Sequence, residues 1–83
     1  MSSRLSKRLS KPRPTRVWAD QRGVPVAFGR VEVETVREEW VVEEGWWTGR
    51  PLRRRYFELV LTDGRDVVVF KDMLSRRWFK QRA

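Results

Sequence analysis

The sequence contains neither histidine nor cysteine, so the residues with which it could do chemistry are arginines, tryptophans and carboxylates. Without imidazole or thiolate, ordinary zinc sites, Cys-His and Ser-His catalysis and the usual proton shuttle near neutral pH are excluded. Carboxylates occur at Glu43-Glu44, Asp63, Asp66 and Asp72, in no spacing that marks a metal-dependent nuclease or a glycosidase pair. The glycines form no phosphate loop. The expectation is a non-enzymatic chain with no metal, no cofactor and no small-molecule substrate. What remains is binding chemistry, concentrated in Trp46-Trp47 and in Arg53-Arg54-Arg55-Tyr56. Guanidinium groups recognise phosphates, and an aromatic face stacks on an unpaired base for about 1–3 kcal/mol.

Charge points the same way. The formal net charge is +8, from 19 Lys and Arg against 11 Asp and Glu, a balance that favours a polyanionic partner through counterion release. Residues 1–16 hold Arg4, Lys7, Arg8, Lys11, Arg13 and Arg16 and no acid. With Pro12, Pro14 and repeated serines, residues 1–14 are expected to be a disordered basic arm. Leu5 and Leu9, four apart, could share a stripe on a short helix, although helices of that length are marginal alone. The arm reads as a solvated tail, as an electrostatic clamp on phosphates, or as a transit peptide. No apolar run approaches the length of a membrane helix and no secretory signal is recognisable, so a cytoplasmic location is expected, with nucleoid association as an option and no membrane partner.

Eighty-three residues bound one small domain, expected over 15–83. Short strand-like runs at Thr15–Ala19 and Val24–Phe28 flank Asp20-Gln21-Arg22-Gly23; Pro25 confines the second to a strand start or an edge. In 31–42 the apolar set moves from Val31, Val33 and Thr35 to Val36, Trp40 and Val42. A one-residue slip of this kind inverts the faces, so the strand needs a bulge near Thr35 or passes from one sheet to another. Its Val, Thr and Trp content favours strand over helix. The stretch 43–51, with two glycines and a proline, is a loop. Residues 52–61 alternate, placing Arg53 and Arg55 with Phe57 on one face and Arg54 with Tyr56 on the other. Asp63-Gly64 offers a two-residue turn, and the continuously apolar Val67–Phe70 predicts a central strand buried on both faces. After a turn at 72–76 comes a last strand with Trp78 and Phe79. The fold class is therefore all-β: a small antiparallel barrel of five or six strands, SH3-like or OB-like, or a strongly bent sheet.

The succession Val17-Trp18, Asp20, Gly23, Pro25, Trp40, Gly45-Trp46-Trp47, Arg54-Arg55-Tyr56, Asp63-Gly64, Lys71-Asp72 and Arg77-Trp78-Phe79 resembles a small bacterial domain. That domain stands at the C-terminus of inactive Y-family polymerase homologues of the mutagenic repair complex, and also occurs as short stand-alone proteins. The resemblance covers roughly residues 15–82, with Gly-Trp-Trp followed by Arg-Arg-Tyr its most specific part; the chain departs from it between Phe28 and Val31. It implies association with error-prone DNA synthesis or damage tolerance, and neither an activity nor a ligand.

Candidate nucleic-acid contacts are Arg4, Lys7, Arg8, Lys11 and Arg13 in the arm, with Arg53, Arg54, Arg55, Arg76, Arg77 and Lys80 in the domain. Trp46, Trp47 and Tyr56 are candidates for stacking or for anchoring a protein partner. Residues 17–49 carry three basic and seven acidic side chains and 50–83 ten and four, so the domain is electrically polarised. Cross-strand pairing with Glu32, Glu34, Glu38 and Glu39 competes with phosphate binding for the arginines. Trp18, Trp40 and Trp78 are read as core. Two functions stay open: a nucleic-acid-binding module, for single-stranded DNA ahead of duplex, and an adaptor docking onto repair or polymerase proteins. RNA or ribosome association is a lesser third.

Overall fold

The structure, a computed structural model, describes residues 11–45, 49 and 51–81. They form seven strands: β1 (Arg13–Pro14), β2 (Val17–Ala19), β3 (Pro25–Phe28), β4 (Val31–Glu44), β5 (Leu52–Leu61), β6 (Asp66–Asp72) and β7 (Arg77–Gln81). All pairings are antiparallel, in the order β1-β7-β6-β5-β4-β3-β2. There is no helix among the described residues. The sheet is curled into a half-barrel: three strands separate β3 from β7, yet the Lys80 ammonium lies 5.8 Å from the Phe28 ring centroid. The expected bent antiparallel sheet is thus present with seven strands instead of five or six. Pairing begins at Arg13, not Thr15, because Arg13 and Pro14 lie opposite Lys80 and Phe79.

The curl has a local cause in β4. Its pairing with β5 shifts between Val33 and Thr35 and again between Val36 and Glu38, two bulges where one was expected near Thr35. The first lets Val36 rejoin Val31 and Val33 against the core. The second inverts the strand once more, so that Trp40 lies opposite Tyr56 on the outer face instead of sharing a face with Val36. Each bulge adds bend and twist, which carries the start of β4 away to pair with β3 through Glu32 and Val31.

The concave face holds the core: Phe57, Leu59, Leu61, Val69 and Phe28 are buried, with Val17, Val24, Val31, Val33, Val36, Val67 and Trp78 packed around them. Trp78 meets Phe57 at 5.8 Å between centroids. Trp18, expected in the core, is 56% exposed: alternation on β2 turns its neighbour Val17 inward and so turns Trp18 out, beside Ala27. Trp40 is half-buried, on the outer face.

The Asp63-Gly64 turn also departs from expectation. Leu61 N–H donates to the Arg65 carbonyl and Gly64 N–H to that of Leu61, so three residues, 62–64, form the loop. Gly64, at φ 92°, takes the left-handed position such loops require. One added residue moves the register by one, placing Tyr56 opposite Phe70, where a two-residue loop would have set it opposite Lys71. In the β2–β3 turn Asp20 Oδ1 accepts from the Arg22 and Val24 N–H groups, and in the β5–β6 turn Asp63 Oδ1 accepts from Arg65 N–H. The Val24 bond draws the Asp20 carboxyl below the usual carboxylate range, and the Arg65 backbone bond does the same for Asp63.

Truncating a fully buried core side chain leaves a cavity as well as losing its transfer energy, so Leu59→Ala is expected to lower unfolding free energy by about 2–5 kcal/mol in urea titrations. Carboxyls with lowered folded pKa values contribute stability that is present above the ordinary aspartate value and lost as pH falls through the folded one. The thermal midpoint is therefore expected to fall less between about pH 5 and pH 2 in an Asp20→Ala/Asp63→Ala variant than in the parent chain.

Candidate nucleic-acid interface

The strand register divides the arginine run. Arg53 and Arg55 lie on the concave side of β5 and Arg54 on the outer side. Arg53 pairs with Glu43 at 2.8 Å, directly opposite on β4. Arg55 pairs with Glu39 at 2.7 Å, holds its guanidinium 4.9 Å from the Phe57 centroid and donates to the Arg22 carbonyl at 3.0 Å. That last bond ties the β2–β3 turn to β5, and it explains Gly23. A Cβ there would stand 2.8 Å from Arg55 Nη1, on a backbone at φ 81°. Arg55 therefore holds the curl, while Arg53 belongs to an exposed cross-strand pair. Their positive charges are balanced locally.

Arg54 sits differently. Its guanidinium lies 4.4 Å from the Phe70 centroid, Nη1 donates to the Tyr56 hydroxyl at 3.3 Å, and Nε is buried without a hydrogen-bond partner among the described residues. The Tyr56 hydroxyl in turn donates to Gln81 Oε1 at 3.2 Å. Tyr56 belongs to a row of four rings crossing the outer face, Trp40, Tyr56, Phe70 and Phe79, each directly opposite the next on β4, β5, β6 and β7. Successive centroids are 5.2, 4.9 and 5.2 Å apart. The inner two rings are almost wholly withdrawn from solvent, Tyr56 at 3% and Phe70 at 1% exposure. Tyr56 is thus an interior ring and not an open stacking surface.

Six cations without carboxylate partners among the described residues gather on one edge. The ribbon formed by β1 and β7, with the residues flanking them, carries Lys11, Arg13, Arg16, Arg76, Arg77 and Lys80 and no acid; none of the six forms an ion pair among the described residues. Arg13 faces Lys80 in register, and the Arg77 guanidinium lies 5.8 Å from the Phe79 centroid. Arg76 is held at φ 63° in the β6–β7 turn, where its N–H donates to the Asp72 carbonyl at 2.6 Å.

Compared with family models, curated proteins and solved structures, the chain gives no match.

The structure therefore brings Lys11, Arg13, Arg76, Arg77 and Lys80 to one edge and separates them from Arg53 and Arg55, while Arg54 shares the outer face with Arg77, in one cross-strand row with Asp72 between them. Arg16 joins the ribbon although the sequence did not single it out; its position between β1 and β2 is the signal, legible only once β1 is known to pair with β7. The aromatic row was hidden by the turn register. Arg4, Lys7, Arg8, Trp46 and Trp47 lie outside the described residues. No group of three acidic residues suited to a metal ion occurs among the described residues.

Tyr56→Phe removes a hydroxyl with partners on two sides and is expected to lower stability by about 1 kcal/mol. Arg53→Ala, acting on a pair 61% and 55% exposed, should stay within about 0.5 kcal/mol of the parent. Denaturant midpoints of the two variants side by side check both.

Proposed function

We propose that this chain is a non-catalytic accessory module that binds the phosphate backbone of nucleic acid along the β1–β7 ribbon. The observation that carries this reading is the ribbon itself: six cations, no acid among them, none in an ion pair among the described residues. Cations already paired with carboxylates release no counterions when they meet a phosphate, whereas these do. A single-stranded ligand is favoured over duplex because Arg77 lies over Phe79 on this edge, joining a cation to an aromatic ring in the manner of single-strand binders. RNA offers the same phosphate chemistry. The resemblance to the repair-associated domain supports a setting in error-prone DNA synthesis or damage tolerance.

A second reading, an adaptor for repair or polymerase proteins, is supported by the exposed Trp18 and Val26 of the β2–β3 hairpin, which adjoin the acid-rich β4 through the Ala27–Glu32 pairing.

Fluorescence anisotropy of a single-stranded oligonucleotide, measured between about 50 and 200 mM salt, separates the two. Under the proposed reading Arg13→Gln/Arg77→Gln lowers the slope of log affinity against log salt by about 1.4, the value for two single-strand phosphate contacts, while Arg53→Gln leaves the slope unchanged. Binding that is weak at every salt concentration and indifferent to Arg13 and Arg77 would reject it in favour of the adaptor.

A further inference from the structure

The long strand β4 has a second edge. We infer that this edge, from Glu39 to Glu43, takes up an extended basic segment of a partner protein as an added strand, with an apolar residue opposite Val41 and a Lys or Arg two residues to either side.

Neighbouring strands cover the edge only at its start. β3 meets β4 at Val31 and Glu32 alone, and past its two bulges β4 runs in unbroken register with β5, on its other side, from Glu38 to Glu44. Hydrogen-bond parity shows which backbone groups look outward, because successive residues of an antiparallel strand bond alternately to one side and the other. Leu61 N–H donates to the Arg65 carbonyl and Met73 N–H to that of Arg53. Odd-numbered β5 residues therefore bond toward β6, and the even-numbered Arg54 and Tyr56 toward β4. Opposite these two stand Val42 and Trp40. The N–H and C=O groups of Glu39, Val41 and Glu43 thus point away from β5, where no strand among the described residues meets them. Each offers a donor and an acceptor in the geometry of a further ladder.

The side chains select the occupant. Glu39, Val41 and Glu43 share one side of β4, and Val41 is 54% exposed. Glu39 and Glu43 meet Arg55 and Arg53 of β5 through Oε2, which leaves Oε1 of each to accept from a cation on the open side. Residues 38–44 hold four acids and no base, and residues 17–49 as a whole carry seven acids against three bases. A strand with cations opposite the two glutamates complements this charge. A second copy pairing β4 with β4 about Val41 would instead set Glu39 opposite Glu43 twice, like charges directly opposed.

Amide hydrogen exchange tests the edge directly. In the chain alone the Trp40 and Val42 amides are expected to exchange slowly and those of Glu39, Val41 and Glu43 at least about tenfold faster. An acetylated, amidated peptide Lys-Thr-Val-Thr-Lys at millimolar concentration should then slow exchange at these three. N-methylation of its Val, which removes a ladder donor, or exchange of both Lys for Glu should weaken binding about tenfold. Glu43→Lys in the chain, a change at an exposed ion pair, should weaken it about fivefold. Slow exchange at all five amides without peptide, no added protection with it, or equal binding of the N-methylated peptide would each overturn the inference. None of these measurements involves nucleic acid, so the inference and the proposed function fail separately.

Discussion

A sheet with no helix among its described elements to lie against must bury its apolar face against itself. That constraint governs the structure. It requires the strands to bend until the two ends of the sheet approach, and the bend is concentrated in β4, where two single-residue bulges occur within six residues. Arg55 then holds the bent form, reaching from β5 to the β2–β3 turn while its charge is balanced by Glu39. The core that results is small and depends on a few large side chains, Phe28, Phe57 and Trp78 among them. A domain of this size buries a modest fraction of its surface, which makes a second apolar layer on the outer face more valuable than in a larger protein.

Much of this was legible in the sequence. The alternation in 52–61 correctly assigned Arg53, Arg55 and Phe57 to one face and Arg54 and Tyr56 to the other, because a strand's period of two leaves no freedom once it is paired on both sides. The continuously apolar Val67–Phe70 correctly indicated burial on both faces, with Val69 in the core and Phe70 in the aromatic row. What escaped were single-residue offsets. The second bulge in β4 and the third residue of the 62–64 loop each shift register by one, and neither leaves a mark on residue type, since Val36, Arg37 and Glu38 suit a bulged or a regular strand equally. These two offsets decide that Trp40, Tyr56 and Phe70 stand in line. Short-range pattern therefore found the strands from β2 to β7 but not β1, which residues 13–14 form only by pairing with distant β7, and the alignment of side chains depended on geometry between strands.

The arginines show the same division between local and distant information. Arg53, Arg54 and Arg55 look like one basic patch in the sequence, yet pleat and register give them three roles: a surface ion pair, a cation stacked on Phe70 and a structural brace. The ribbon cations are scattered over residues 11–16 and 76–80 and make no motif. Only the pairing of Arg13 with Lys80 and of Pro14 with Phe79 gathers them.

The short β1 strand has a further consequence, for self-association. Among the described residues the sheet ends at β1, and an open sheet edge is a template on which another chain can add a strand. Here the terminal strand is two residues long, one of them a proline that has no N–H to offer, and arginines and lysines crowd the edge. An incoming strand would find few bonds to make and a concentration of positive charge to overcome. The positive charge on this edge thus also protects a very apolar β6, which lies behind β7, from drawing identical chains into an aggregate.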